Sequence, residues 1–274
     1  MVAIIKFEWH RMVHSTSFWL SILFACLLSF VAAAQQFKYY MNGIDHISVF
    51  YRWIGQSNYT FGSYYLYQLI PLLAAFAYSH TICSDRTRGY VYQVITRTSR
   101  KKYFLAKYLV SYAGGGLIFT SSVLFNYIIL SSFMPAIIPD PVEMSSLITP
   151  FQFGSTLFYT KPYTFMFLWL LITYFWGGTM ALIGLTAGTF TNNLALSVIF
   201  PLLLFLSESV IGSYVMYKKI FFMGYYSLQL IWTALLCSAT GGAAPTYYII
   251  CTIFVLQIII SIIYWIRVKK YEYL

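Results

Sequence analysis

Charged residues are scarce in this sequence. Only 9% of its 274 residues are Asp, Glu, Lys or Arg, whereas soluble domains average about 25%. A water-soluble fold of this size needs a polar surface, which 7 acidic and 17 basic side chains cannot cover. Hydrophobic residues make up 60% of the chain. The composition therefore excludes a water-soluble enzyme and a disordered chain, and it predicts a polytopic membrane protein.

Further absences narrow the class of protein. The four cysteines form no C-x-x-C pair and have no metal-type spacing, so we expect neither a disulfide scaffold nor a metal site. The chain has no G-x-x-x-x-G-K-[ST] motif, so it cannot hold a nucleotide phosphate by that route. The apolar runs also lack the paired acids, G-x-S-x-G motif or histidine cluster that an intramembrane enzyme needs. We therefore expect that the chain is not an enzyme by itself.

The hydrophobic residues are concentrated in long runs. A membrane-spanning helix needs about 20 mostly apolar residues, and six runs approach or exceed that length. We predict a single all-α transmembrane domain over residues 1–274, with spans at 17–35, 63–83, 104–133, 163–188, 194–216 and 246–266. Because only a few residues separate the fourth and fifth spans, these two should form a tight helical hairpin.

The basic residues are unevenly distributed among the predicted loops. With the N-terminus in the cytoplasm, twelve basic residues lie on the cytoplasmic side: Lys6, Arg11, Arg86, Arg88, Arg97, Arg100, Lys101, Lys102, Lys107, Arg267, Lys269 and Lys270. The remaining five lie outside: Lys38, Arg52, Lys161, Lys218 and Lys219. This bias predicts a multi-pass protein of the cell membrane with both termini in the cytoplasm.

Residues 220–239 are apolar enough to form a seventh span. A seventh span would place the basic tail outside, against the charge bias. We therefore predict that residues 217–245 form outer-surface or re-entrant helices. Backbone at membrane depth that does not cross is tolerated where it is buried in protein or lines a cavity.

The N-terminal segment, residues 1–16, has an amphipathic pattern. Val2, Ile5, Trp9 and Met12 recur at helical spacing, and polar residues lie across from them. This pattern predicts a helix in the membrane interface. Such a helix is either a generic basic flank of the first span or an elbow helix that a cytoplasmic partner can contact.

The segment between the second and third spans, residues 84–103, combines basic residues with a narrow apolar stripe. Tyr90, Val91, Val94 and Ile95 recur at helical spacing, and Lys and Arg flank them on both sides. One interpretation is a basic loop lying on anionic lipid. The other is a short amphipathic helix that packs into a partner protein.

The order of motifs resembles that of type-2 ATP-binding-cassette (ABC) exporter permeases. In that family an acidic-Arg-x-x-Gly stretch follows the second span, then a short coupling helix, a Ser-Arg turn and a Lys that enters the third span. The matching positions here are Asp85, Arg86, Gly89, Ser99, Arg100 and Lys107. The N-terminal Lys6-Phe7-Glu8, followed by Arg11 and then Phe18-Trp19, also resembles the elbow helix of the family.

This resemblance implies a permease subunit that exports a hydrophobic or amphipathic substrate, such as a peptide, antibiotic, lipid or drug. The chain would bind no cofactor directly, because ATP and Mg would bind to separate ABC ATPase subunits. It implies a homodimer or heterodimer with a second permease in a lipid bilayer, no nucleic-acid partner, and a Gram-positive bacterial source. The implied ATPase contacts are Asp85, Arg86, Arg88, Gly89, Tyr90, Val91, Val94, Ile95 and Arg97 in the coupling segment, and Glu8 in the elbow helix.

Two further features have more than one interpretation. Glu208 is the only acid within a predicted span, so it either lines a substrate cavity or forms a structural or interfacial contact. Small residues on the fourth span allow close helix packing, either within one subunit or between two: Gly177, Ala181, Gly184 and Gly188.

A secondary transporter or channel without an ATPase is the alternative function. Such proteins often show internal repeats and broken helices. The two halves of this chain show no evident repeat.

Overall fold

The computed structural model describes residues 1–41, 48–53, 60–139, 154–191, 193–217 and 246–270, and within these ranges the chain forms α-helices and no β-strand. The helices are α1 (Val2–Val13), α2 (Thr16–Met41), α3 (Val49–Arg52), α4 (Phe61–Tyr78), α5 (Thr81–Thr87), α6 (Tyr90–Arg97), α7 (Arg100–Ser131), α8 (Ser155–Thr160), α9 (Pro162–Phe190), α10 (Leu194–Tyr217) and α11 (Thr246–Lys270). The predicted all-α class is therefore confirmed.

Four segments are long and apolar enough to cross a membrane. They are Thr16–Met41, Phe61–Thr87, Arg100–Ser131 and Pro162–Phe190, and each contains most or all of one of the first four predicted spans. Within α10 a shorter apolar stretch covers Leu194–Ser207. The fifth and sixth predicted spans coincide with helices α10 and α11. The outer or re-entrant segment predicted at 217–245 lies outside the described residues, apart from Tyr217 at the end of α10.

Helices α7 and α9 form the centre of the bundle. They pack along each other, α2 and α4 pack on α7, and α4, α10 and α11 pack on α9. Their closest approach is at two glycines: a Cβ added to Gly115 would lie 2.6 Å from the Gly177 carbonyl oxygen and 2.5 Å from the Ala181 Cβ. A Cβ added to Gly177 would lie 2.5 Å from the carbonyl oxygen of Gly115. Small residues at this crossing let the two backbones touch.

The second span is broken near one end. Helix α4 ends at Tyr78, a turn at Ser79 and His80 follows, and α5 begins at Thr81. Hydroxyl groups occupy the break: Ser79 Oγ donates to the Ala181 carbonyl at 2.7 Å, and Thr81 Oγ1 donates to the Tyr78 carbonyl at 2.7 Å. The Thr81 hydrogen bond satisfies a carbonyl at the end of α4, and the Ser79 hydrogen bond joins the break to α9. Both residues of the break keep right-handed helical dihedrals, and α5 continues to Asp85 at the end of the bundle where α1 and α6 lie.

Aromatic residues pack together at the opposite end of the bundle, away from α6. Helix α3 is buried, and Ser48 accepts a hydrogen bond from the Phe50 amide at its start. Trp53 donates from Nε1 to the Val123 carbonyl at 3.1 Å, and Tyr51 packs edge-to-face on Phe158 of α8. Helices α3 and α8 therefore pack together at the end of the bundle that is distant from α6.

Replacement of Gly115 by Ala should destabilise the protein more than replacement of Gly114 by Ala. At Gly115 the added methyl group would meet backbone and Cβ atoms, whereas at Gly114 it would meet the flexible Sδ of Met12. Overpacking of a fixed contact costs about 1–3 kcal/mol. Thermal unfolding of both variants in detergent measures the difference, and equal unfolding midpoints would contradict the proposed close crossing of α7 and α9.

Candidate functional site at the α6 end of the bundle

Helix α6 is a short amphipathic helix on the surface. Gly89 precedes it with φ 71° and ψ 4°, a left-handed conformation that favours glycine. None of its eight residues is buried, and the side chain of Tyr92 is 71% exposed. The apolar stripe is turned toward the bundle, where Tyr90, Val91 and Val94 pack half-buried against the core. The stripe is therefore partly covered by the chain itself, and a partner would meet the outer face of the helix.

Beneath α6 lies a buried ionic cluster made of Glu8, Arg11, Asp85 and Lys107. Lys107 of α7 is completely buried, with 0% of its surface exposed. Its ammonium group lies 2.9 Å from Glu8 Oε2 of α1 and 2.8 Å from Asp85 Oδ2 of α5. It also donates to Thr81 Oγ1 at 2.9 Å. It also lies 3.3 Å from the Tyr78 hydroxyl, so four acceptors surround the three donors of the lysine ammonium.

Asp85 is saturated with hydrogen bonds. Arg11 of α1 binds both carboxylate oxygens of Asp85, with Nη1 at 2.9 Å from Oδ2, and Tyr103 donates to Oδ2 at 2.7 Å. Together with Lys107, these donors use about all of the positions at which a carboxylate can accept. A bidentate Arg–carboxylate pair is among the stronger and more directional hydrogen-bonded pairs. Asp85 therefore ties α5 to α1 and α7.

Glu8 is held in a similar way. It binds Lys107, and the hydroxyl of Tyr78 donates to its Oε2. Burial opposes the charge of Arg11, but the hydrogen bond that Arg11 donates to Asp85 and the charge of that carboxylate outweigh it and raise the pKa of Arg11. The cluster contains two acids and two bases, so it is neutral as a whole. Buried charged side chains are tolerated when acids and bases balance and each group is hydrogen-bonded.

Three other arginines at this end contact carbonyl groups at helix termini. Arg86 donates to the Thr189 carbonyl at 3.0 Å, and Arg267 approaches the same oxygen at 3.5 Å. Arg100 donates to the Val268 carbonyl at 3.2 Å. Thr189 and Val268 lie in the last turns of α9 and α11, where carbonyl groups lack a partner within the helix and the helix dipole favours positive charge.

A groove separates α1 from α6. Its volume is about 460 Å³, and it is lined by Ala3, Ile4, Phe7, Glu8, Tyr90, Gln93, Val94, Thr96, Arg97 and Thr98. The Arg11 guanidinium lies over the ring of Tyr90 at 4.9 Å and bridges the two helices at the base. Because Glu8 is only 1% exposed, the exposed charge beside the groove is basic, from residues such as Lys6 and Arg97.

The predicted contact residues divide into exposed and buried sets. Arg88 and Arg97 are exposed, whereas Arg86, Gly89, Tyr90, Val91, Val94 and Ile95 are partly exposed. The structure buries Glu8 and Asp85, each 1% exposed. Their carboxylates bind Lys107 and Arg11, so neither is available at the surface for a partner.

Two other sequence predictions have different outcomes. The side chain of Glu208 lies outside the described residues. The small residues of α9 contact other helices of the same chain: Gly177 and Ala181 lie against α7, Gly184 lies against α4 and α10, and Gly188 lies against α5 and α10.

Within the described ranges no group of three or more His, Cys, Asp or Glu residues is placed to hold a metal ion.

The sequence analysis missed the cluster, although a signal was present. Glu8 lies at helical spacing between Ile5 and Met12, so it falls on the face of α1 that packs on the bundle. Lys107 stands inside an otherwise apolar run. An acid and a base on faces that must be buried predict a partner for each.

Compared with family models, curated proteins and solved structures, the chain shows no match. The class of protein is therefore argued from the contacts above and from the sequence pattern.

Replacement of Lys107 by Met should lower the free energy of unfolding by about 3–5 kcal/mol, because it removes the base that lies 2.9 Å from the buried Glu8 carboxylate and leaves only Arg11, at 3.9 Å. Lys102 is the matched control, since it lies on the same helix and is exposed. Its replacement by Met should change stability by no more than about 0.5 kcal/mol. Denaturant unfolding in detergent measures both, and a Lys107→Met variant as stable as the control would contradict this account of the cluster.

Proposed function

We propose that this chain is the membrane-spanning permease subunit of an ABC transporter, and that a separate ATPase subunit docks at α6. The observation that carries the proposal is a surface amphipathic helix, connected by short turns to two long apolar segments and packed beside an ionic cluster of α1, α5 and α7, whose Arg11 lies over Tyr90 of α6. A basic loop whose only role was to set the membrane orientation would not need a helix packed beside such a cluster. The chain has no motif that binds a nucleotide phosphate, which is consistent with a separate ATPase subunit.

In this proposal α1 is the elbow helix and α6 is the coupling helix. The spans are the four long apolar segments together with α10 and α11, so both termini and α6 lie in the cytoplasm. Twelve of the 17 Lys and Arg residues then fall on the cytoplasmic side, which supports this orientation. Two copies, or this chain with a second permease, would form the transport path in the cell membrane.

The proposed reaction is export of a hydrophobic or amphipathic substrate, such as a peptide, antibiotic, lipid or drug. ATP binding would close the ATPases and displace α6. Since α6 is joined to α5 and α7 by a few residues on each side, its displacement would move the second and third spans. The chain would supply no catalytic residue for ATP hydrolysis, and ATP and Mg would remain on the ATPase.

The orientation can be tested by cysteine labelling. Single cysteines would replace three exposed residues, Lys102, Lys161 and Lys269, in a chain whose four native cysteines are replaced by Ala. We expect a membrane-impermeant maleimide to label position 161 in intact cells. Positions 102 and 269 should react only after permeabilisation. Labelling of position 269 in intact cells would refute the even number of spans.

Docking can be tested with substitutions on the outer face of α6. The chain would be co-expressed with each ABC ATPase of its source organism and purified by a tag on one partner. Tyr92→Asp and Arg97→Glu should each weaken ATPase binding by about tenfold, the effect of losing about 1.4 kcal/mol. They should also abolish ATP-driven transport in liposomes.

The control for docking is Lys102→Glu, which changes an exposed basic residue just beyond α6. A general electrostatic attraction would be weakened equally by Lys102→Glu and Arg97→Glu, whereas docking at α6 affects the second far more. The proposal fails if no ATPase co-purifies and the chain alone transports in response to a membrane potential. That result would favour a secondary transporter.

A further inference from the structure

The two walls of the groove come from distant parts of the sequence. One wall is α1 at the N-terminus, and the other is α6, more than 75 residues later. At the base of the groove they meet through Arg11 and Tyr90 at 4.9 Å, a cation–π contact worth about 0.5–1 kcal/mol at a partly exposed site. A contact of that size does not fix the separation of two helices, so their spacing depends on the ionic contacts beneath, which are the Arg11–Asp85 pair and the two carboxylate contacts of Lys107.

Lys107 lies directly beneath both walls. Glu8, one of its two carboxylate partners, lines the groove from α1. Asp85, the other, belongs to α5, which is separated from α6 only by Arg88 and Gly89. The ammonium group therefore binds one carboxylate from each side of the groove at 2.9 and 2.8 Å. Its own helix, α7, is the long central helix of the bundle, so it holds both sides against a rigid element.

We infer that Lys107 is a positioning residue, which sets the distance between α1 and α6 by binding Glu8 and Asp85 at the same time. Its role in docking rests on the proposed function, because the groove is where the ATPase would contact the chain. Its role in the geometry of the groove does not depend on that function. Lys107 contacts no partner itself and acts through the two helices that it holds.

A residue that only neutralises charge would behave differently. In Lys107→Met the cluster keeps two acids and one base. In the double variant Glu8→Gln and Lys107→Met, one acid and one base remain, Asp85 and Arg11, and these already bind each other. Neutrality is restored, and the ion pair between Lys107 of α7 and Glu8 of α1 is gone, while the contacts of Asp85 with Arg11 and Tyr103 remain. The double variant therefore separates charge balance from positioning.

The experiment measures cross-linking across the groove. Cysteines replace Ile4 and Val94, which line opposite walls, in the background without native cysteines. Bifunctional maleimides of increasing length report the distance between the two positions. A second pair replaces Phe37 and Phe133, whose rings lie 5.1 Å apart at the opposite end of the bundle. That pair reports whether the rest of the fold is intact.

We expect Lys107→Met to be unstable and the double variant to recover most of the stability and all of the cross-linking at 37 and 133. The double variant should still lose short-linker cross-linking at 4 and 94 by about fivefold, the factor that corresponds to roughly 1 kcal/mol. Full recovery of cross-linking at 4 and 94 would show that Lys107 only balances charge, and it would overturn the inference. If the double variant does not accumulate, Glu8→Leu alone, which removes the acceptor that α1 offers to Lys107, should show the same selective loss, and an unchanged groove in that variant would equally overturn the inference.

Binding of the ATPase is measured on the same proteins. A fall in affinity of about fivefold in the double variant, matching the cross-linking, supports positioning for docking. Unchanged affinity with a widened groove overturns the docking part of the inference. If no ATPase binds the unaltered chain, the proposed function fails, and cross-linking alone still decides whether Lys107 fixes the groove.

Discussion

The end of the bundle that carries α6 depends on one buried ammonium group and the acceptors around it. Burying an isolated charge costs several kcal/mol, and the cost is recovered only when hydrogen bonds and opposite charges have good geometry. Lys107 has four acceptors, and the two carboxylates are in turn bound by Arg11, Tyr78 and Tyr103. Each of these groups must be in place for the others to be tolerated. Helix α5, which carries Asp85 to the cluster, lies between the turn at Ser79 and His80 and the left-handed Gly89 that precedes α6.

The rest of the bundle is held in a different way. Away from this end, contacts consist of glycines at helix crossings, hydroxyl groups that bind carbonyls, and packed aromatic rings. Helix α7 takes part in both regions, since Lys107 and Gly115 are eight residues apart, or about 12 Å along the helix. The same helix meets Trp53 at Val123, about 24 Å from Lys107. A displacement at the ionic end would therefore be carried along a helix whose middle is fixed to α9 by backbone contact.

The sequence predicted the fold class, the first four spans and the position of the short helix, because these depend on hydropathy and on local periodicity. Apolar runs of the required length and the stripe from Tyr90 to Ile95 are visible in one dimension. The motif order predicts Glu8 and Asp85 at a partner surface, whereas the structure buries both side chains. Their partners come from residues up to about 100 positions away, and no local pattern shows which acid meets which base. The small helices α3 and α8 were also missed, since four or six residues give too short a period to recognise.

The pairing of Arg86 and Arg267 on one carbonyl has a consequence for how this sequence can vary. Positive charge on the cytoplasmic side sets orientation, and for that purpose lysine and arginine are equivalent. At the Thr189 carbonyl, in the last turn of α9, the two residue types differ, because a planar guanidinium can donate to a carbonyl while it lies over a neighbouring ring, as Arg267 does over Phe190 at 5.0 Å. Lysine at these two positions would keep the protein in the same orientation and loosen the junction of α5, α9 and α11. Insertion into the membrane and the tightness of this junction are thus encoded by the same residues but tolerate different substitutions.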